Sequence, residues 1–117
     1  MIEEAVALGS RLGILTTASG SLKCLVEDIG RYTKQQGKSV IIKEHVEAAA
    51  RPVILSGDID THDELVASAA NKITDCDCLM LGQFSMTGAV KRFADMPQRP
   101  VLTSAHAAVR KLKRQLG

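Results

Sequence analysis

Aromatic residues are scarce in this sequence: they make up 3% of its 117 residues, with one Tyr, two Phe and no Trp. Few side chains are therefore available on which nucleic-acid bases could stack. The formal net charge of +2 is also too close to neutral to attract a phosphate backbone by itself. We therefore expect no nucleic-acid partner. The core must be built from Leu, Ile, Val and Ala, which suit the packing of helices on a sheet.

Cysteines and long apolar runs are also sparse. The three cysteines form an odd set, unlike a disulfide framework. Cys24 is interpreted as a small core residue beside the apolar stripe of a helix, and Cys76 and Cys78 as structural residues with no second pair to complete a metal site. No stretch approaches the length of a membrane span, and residues 1–4 (MIEE) do not resemble a secretory signal. We expect a cytoplasmic protein with no membrane partner, metal or cofactor.

Short apolar runs alternate with segments of helical periodicity along the chain. Strands are predicted at 11–17, 40–42, 78–82 and 100–103, and helices at 2–9, 22–36, 60 or 61 to 74, 87–94 and 105–116. Segment 45–57 is predicted as a broken helix, since Pro52 interrupts a helix unless it lies in the first turn, although its PVIL run would also suit a strand. Alternating strands and helices require crossovers and hence parallel pairing. The sequence predicts one α/β domain over 1–117, with three layers (α-β-α) around a mostly parallel sheet of about four strands.

Polar residues follow the predicted strands at the edge where parallel sheets bind ligands. The hydroxyl residues after the first strand precede a helix, whose N–H groups and dipole favour an anion, although ordinary capping would account for one or two of them. Other candidates follow the third and fourth strands. His62 is interpreted as part of a helix start rather than as a ligand-binding residue. The candidate binding residues are Thr16, Thr17, Ser19, Ser21, Gln83, Ser85, Thr103 and Ser104.

Four segments together resemble the second, C-terminal half of aspartate/glutamate/hydantoin racemases. They read RLGILTTASGSL, SGDIDTHDELVASAA, DCLMLGQFSM and RPVLTSAHAAVRKL, in the same order and at similar spacing over nearly the whole chain. The resemblance implies a flavodoxin-like half-domain and a small carboxylate or hydantoin-like ligand. It also implies that the loop around Thr17 holds a carboxylate of this ligand, and that Gln83 lies on the active-site loop.

The same resemblance implies racemisation or isomerisation by two cysteines, one from each half, that act on opposite faces of one carbon atom. Here Gln83 stands where the loop cysteine is expected, and a glutamine amide cannot remove a carbon-bound proton. The resemblance covers only the second half, so the first cysteine is expected to be missing as well. It therefore implies a partial or inactive half-domain that binds a small carboxylate, and it leaves the catalytic residues unassigned.

Two other functions remain open. A half-domain that packs on another should expose an apolar patch, so a homodimer or a complex with a complementary half-domain, acting as an interaction module without catalysis, is the alternative. A receiver-like or nucleotide-binding domain fits less well. The glycine-rich phosphate-binding motifs are absent, and Thr16 and Thr17 stand where acidic Mg²⁺ ligands would be needed.

Overall fold

Four strands form one parallel sheet in the computed structural model of this protein. The structure describes residues 1–82, 88–90 and 100–116, with the backbone alone at 104–107. The strands are β1 (Arg11–Thr16), β2 (Ile41–Val46), β3 (Cys78–Leu81) and β4 (Val101–Thr103). The helices are α1 (Ile2–Leu8), α2 (Ser19–Gln36), α3 (Ala50–Leu55), α4 (Ile59–Lys72) and α5 (Ser104–Leu116), and a 3₁₀ turn covers 88–90. Within these ranges, no helix combines the length and the apolar character that crossing a membrane requires.

The strand order is β2-β1-β3-β4, and all three pairings are parallel. This is the order of the first four strands of a flavodoxin-like sheet. Leu12 of β1 pairs with Ile42 of β2 on one side and with Cys78 of β3 on the other, so β1 is a central strand. The predicted parallel α/β architecture is confirmed.

Helices cover both faces of the sheet, which gives the predicted three layers. On one face, Leu12 and Ile14 of β1 pack with α1 and α2 in a cluster of buried residues that also includes Met80. On the other face, Leu15 packs with α3 and α4 in a second cluster that includes Leu81. The alternation follows from the strand geometry, because successive side chains point to opposite faces. Burying each such Leu or Ile side chain stabilises the fold by roughly 1.5–3 kcal/mol.

Three element boundaries differ from the prediction. The second strand runs to Val46 rather than ending at Ile42, because its backbone continues to pair with β1 up to Thr16. Helix α2 begins at Ser19 rather than Leu22, so Ser19 and Ser21 lie in its first turn instead of in a preceding loop. Of the helix predicted at 87–94, the structure describes residues 88–90 as a 3₁₀ turn, and 91–94 lie outside the described residues.

Segment 45–57, predicted as a broken helix, contains the end of β2 and the short helix α3. Pro52 is the third residue of α3, where the missing N–H has no intrahelical partner to lose, so the helix tolerates it. The PVIL run is therefore helical and not a strand. Helix α4 follows after a turn at Gly57, which has a φ of 90° that favours glycine. Asp58 then caps α4, since its Oδ1 accepts a hydrogen bond from the Thr61 N–H at 3.1 Å.

Candidate functional site

The carboxyl ends of β1 and β3 lie side by side at one edge of the sheet. The Gly82 N–H, directly after β3, donates a hydrogen bond to the Leu15 carbonyl at 3.0 Å, which ties the two strand ends together. The chain leaving β1 enters α2 on one face, whereas α4, which precedes β3, packs on the other face. The position where successive helices change face is the place where parallel sheets form a ligand crevice. This edge is therefore the candidate site.

The first turn of α2 borders this edge. Its N-cap residue is Ala18, and among the described residues no side chain caps the helix. The N–H groups of Ser19, Gly20 and Ser21 belong to the first turn, which has no intrahelical acceptors for them. Gly20 and Ser21 line a cleft of 430 Å³ together with Gly82. A helix start of this kind can bind an anion through its N–H groups and its dipole.

Thr16 and Thr17, two of the predicted binding residues, both interact within the fold. Both are buried, and the Thr16 Oγ1 donates a hydrogen bond to the Ala18 carbonyl at 3.2 Å. Thr17 also makes an interaction within the fold. The two hydroxyl residues therefore shape the turn from β1 into α2. Ser19 is exposed and Ser21 is half-buried, so the residues of the first helical turn are the ones that a ligand can reach.

Gly82 is needed at this edge because of a close approach rather than a special backbone conformation. A Cβ atom at this position would lie 2.4 Å from the Cγ2 of Thr16, which is far inside van der Waals contact. Its φ is not among the positive values of the described glycines. The absence of a side chain at Gly82 therefore lets β3 end directly beside β1.

The remaining predicted residues are placed only in part. Thr103 ends β4, pairs in register with Leu81 and is buried, so it lies at the same edge as Gly82. Ser104 begins α5, and its side chain lies outside the described part of the structure. Gln83 and Ser85 also lie outside the described residues.

One polar pair at this edge was not predicted as part of the site. His62, at the end of the first turn of α4, and the adjacent Asp63 are both buried, and His62 Nδ1 lies 2.9 Å from Asp63 Oδ1. Two signals in the sequence concerned this pair. One was its position beside Asp60 at a helix start, which capping and the helix dipole explain equally well. The other was the resemblance of the segment SGDIDTHDELVASAA to the helix entry of the racemases. Periodicity could not show that His62 faces inward.

The cysteines divide into two environments. Cys24 is exposed and lines the same cleft as Ser21, so its interpretation as a core residue is wrong: it lies one turn after Ser21 on the outer surface of α2. Cys76 and Cys78 are buried, as predicted. Burial, with smaller contributions from Cys76 and Asp77, raises the pKa of the Cys78 thiol to about 11, which keeps it protonated and unreactive. Among the described residues, no three His, Cys, Asp or Glu side chains are grouped to hold a metal ion.

The opposite edge of the sheet carries a charged cluster that stabilises the fold. Asp77 Oδ2 accepts hydrogen bonds from the backbone N–H groups of Ser10 and Arg11, each at 3.0 Å. The Arg11 guanidinium contacts Asp75 at 2.8 Å, and Lys43 also pairs with Asp75. The pKa of the Asp77 carboxyl lies below its ordinary value, mainly because of the Arg11 N–H, and Lys43 lowers the pKa of Asp75. These groups fix the start of β1 and lie far from the candidate site.

The chain matches no protein-family model, and it has no significant match among curated proteins or solved structures. The cleft at the first turn of α2 and the residues around it are therefore the features from which a function can be inferred.

Proposed function

We propose that this chain is a half-domain of the aspartate/glutamate/hydantoin-racemase type that binds a small carboxylate at the carboxyl edge of β1 and β3. The observation that carries the proposal is the first turn of α2, which no described side chain caps and which opens onto the cleft beside Gly82. The N–H groups of this turn and the helix dipole favour a negatively charged ligand. The strand order supports the proposal, because sheets of this order bind ligands at this edge.

Binding is proposed without racemisation by this chain alone. Racemisation needs a base on each face of the reacting carbon. Gln83 stands at the loop position for which the racemase resemblance implies a cysteine. Cys24 lines the cleft, but a single thiol provides a base on one face only. A complementary half-domain that supplies a further base would therefore be required for catalysis.

Binding can be tested by NMR titration of the ¹⁵N-labelled protein with succinate. We expect the amide signals of Ser19, Gly20 and Ser21 to shift saturably. Ser21→Asp places a carboxylate in the first turn of α2, where it should stabilise the helix by about 0.3–1 kcal/mol and compete with the ligand. Loss of binding in a variant that is more stable than the parent cannot be attributed to unfolding. Ser21→Asn, which has the same shape without the charge, should still bind, and undiminished binding by Ser21→Asp would contradict the proposal.

Catalysis can be tested by deuterium exchange at the α-carbon in D₂O, with aspartate, glutamate, arylmalonates and hydantoins as substrates. We expect no uptake, because Gln83 stands at the loop position for which the resemblance implies a thiol, and an amide cannot remove a carbon-bound proton. Cys24→Ser is the control, since it removes the one thiol that lines the cleft. Uptake above the level of this control would show that Cys24 serves as a base and would contradict binding without catalysis.

Self-association as an interaction module is the second candidate, and the exposed apolar stripe of α5 favours it. Val109, Leu112 and Leu116 recur at helical spacing, and each is more than half exposed. The neighbouring Arg110 lies on the side of α5 that faces α1, and its Nε donates a hydrogen bond to the Glu4 carboxylate at 2.9 Å. Helix α5 contains four Lys and Arg residues and no Asp or Glu. A helix with an outward apolar stripe and a positive charge suits an acidic apolar surface.

The turn between α3 and α4 offers such a surface on the other face of the sheet. Leu55 and Ile59 are largely exposed there, and Asp58 and Asp60 are adjacent to Ile59 in the sequence. A second copy of the chain could therefore place its α5 on this turn. The contact would join different surfaces of the two copies, so association would be head-to-tail.

Sedimentation equilibrium can test this second candidate over a range of protein and salt concentrations. We expect weak association that salt reduces, because complementary charges flank a small apolar contact. Leu112→Glu and Ile59→Lys should each be monomeric, since each disables one of the two surfaces. A mixture of the two variants should form a 1:1 complex, because each retains the surface that the other lacks. A wild-type chain that is monomeric at every concentration would contradict self-association.

A further inference from the structure

The cleft at the first turn of α2 continues into a larger groove between α1, α2 and α5. Met1, Leu25 and Asp28 line both cavities, so the cleft and the groove form one continuous trough. The groove has a volume of about 510 Å³ and extends along α2 as far as Tyr32. At 1.5 Å per residue, the trough follows α2 for about 18 Å from Gly20 to Tyr32. This length is much greater than a compact dicarboxylate needs.

The floor of the groove is apolar. Ile2 of α1 and Tyr32 of α2 are half-buried, and both pack against the cluster of buried residues that includes Leu25. Leu25 follows Ser21 by four residues, so it continues the same face of α2 beyond the first turn. Concave sites of this size with an apolar lining are typical of small-molecule binding. A ligand that extends from the first turn along α2 would therefore contact apolar side chains.

The walls of the groove carry charges of both signs. The charged residues that line it are Glu3, Glu4, Asp28, Lys111 and Arg114. Glu4 already pairs with Arg110 at 2.8 Å. Asp28 also has a partner, the guanidinium of Arg31. A charged group on a ligand would meet both signs here, and it would lose hydration beside the apolar floor. The groove therefore favours an uncharged, apolar part of a ligand.

We propose that the groove holds the apolar chain of a monocarboxylate whose charged end lies at the first turn of α2. The inference rests on the proposed carboxylate-binding function and names the rest of the ligand, an aliphatic chain of roughly a dozen carbon atoms. An extended chain advances by about 1.2 Å per bond, so a chain of this length covers most of the trough, whereas a four-carbon acid ends within the first turn. Each CH₂ group that leaves water for the apolar floor strengthens binding.

The test is an NMR titration with butanoate, octanoate and dodecanoate, each below the concentration at which it forms micelles. All three acids should shift the amide signals of Gly20 and Ser21. The ring signals of Tyr32 should shift with dodecanoate and stay unchanged with butanoate. Each CH₂ group should tighten binding about two- to fourfold, the lower value applying because an open groove covers only part of the chain. Octanoate should therefore bind at least about 15-fold more tightly than butanoate.

Ala108→Trp fills the groove from the α5 side, where Ala108 is exposed and lines the cavity. It should weaken dodecanoate binding about tenfold or more and leave butanoate binding unchanged. Val109→Trp is the matched control, since Val109 is exposed on the same helix and lines none of the cavities described for this chain. This variant should keep the preference for the longer chain. Both positions lie on the helix surface, so neither variant disturbs the core.

The outcomes separate the inference from the proposed function. If all three acids shift the Gly20 and Ser21 amides with equal affinity, carboxylate binding stands and the inference is overturned. A preference for long chains that shifts Val109 instead of Tyr32 also overturns it, because the chain would then lie on the exposed stripe of α5. The same holds if Ala108→Trp leaves the preference intact. If no acid shifts the Gly20 and Ser21 amides, the proposed function itself fails, and the inference fails with it.

Discussion

The close approach of Gly82 to Thr16 allows a double-mutant cycle on the edge that forms the candidate site. A Cβ added at Gly82 would lie 2.4 Å from Thr16 Cγ2 and 3.6 Å from Thr16 Cβ, so the clash involves one methyl group. Thr16 cannot move this methyl group freely. Rotation about χ1 would break the 3.2 Å hydrogen bond from its Oγ1 to the Ala18 carbonyl, and the residue is fully buried.

The magnitudes follow from these contacts. Gly82→Ala should lower the free energy of unfolding by about 2 kcal/mol, within the range of ~1–3 kcal/mol for an overpacked core. Thr16→Ser keeps the hydroxyl and removes the clashing methyl group, at a cost of about 1 kcal/mol for the lost burial and the small cavity. In the double variant the clash is absent, so the free energy of unfolding should fall by about 1 kcal/mol, rather than by the roughly 3 kcal/mol that the two single losses would add up to. The expected coupling is therefore about 2 kcal/mol.

Urea unfolding followed by circular dichroism measures all four proteins, and an unchanged slope against urea would show that only stability has changed. Gly20→Ala combined with Thr16→Ser is the matched control. No described atom lies within 4 Å of a Cβ on Gly20, so this pair should be additive, and Gly20→Ala alone should stabilise α2 by about 0.5–1 kcal/mol. If the Gly82 and Thr16 changes are additive within about 0.5 kcal/mol, the close approach does not exist and the geometry of the edge is wrong.

Three further predictions concern single groups. Because the folded pKa of Asp77 lies below its ordinary value of 3.8, its contribution to stability should be complete above that pH and lost as the pH falls below it. Asp77→Asn should therefore flatten the acid side of the stability curve relative to the unmodified chain. A thiol reagent at pH 8 should modify Cys24 quickly and Cys78 only after unfolding, and a native chain in which Cys78 reacts as fast as Cys24 would contradict its burial and its pKa of about 11. Asp58→Ala should reduce the free energy of unfolding by about 0.5–2 kcal/mol, because the α4 cap is lost. Asp58→Asn should retain most of the stability that the cap provides, since an Asn side chain can also accept this hydrogen bond, and thermal unfolding of both variants measures the difference.

The general architecture was predictable because it depends on local patterns. Short apolar runs such as those of β1 and β3, bounded by turn residues and separated by helices, are typical of buried strands, and the crossovers make the sheet parallel. The helix that follows β1 was also predictable, although its start was placed three residues late. The end of β2 was missed because its exposed residues, including Glu44, do not resemble a strand, and pairing with β1 alone keeps them extended.

The candidate site depended much more on tertiary structure. The exposure of two helical residues illustrates this. Cys24 was expected in the core and is exposed, and His62, interpreted only as part of a helix start, is fully buried. Whether a position on a helix is buried depends on which other element packs against it, and that element is distant in the sequence. The contact of Gly82 with Thr16 likewise joins residues 66 positions apart, so no local pattern contains it.

The sequence by itself determined the class of fold and which polar residues follow the strand ends, because hydrogen bonding and the spacing of apolar residues act over a few neighbouring positions. Only the tertiary structure decided which polar groups at that edge are available to a ligand. The Thr16 hydroxyl is hydrogen-bonded within the turn, and the first turn of α2 borders the cleft beside Gly82. His62 is buried, and its Nε2 has no hydrogen-bond partner among the described residues. The physical reason is that availability depends on hydrogen-bond partners and on packing contacts, which are both set by residues far apart in the chain.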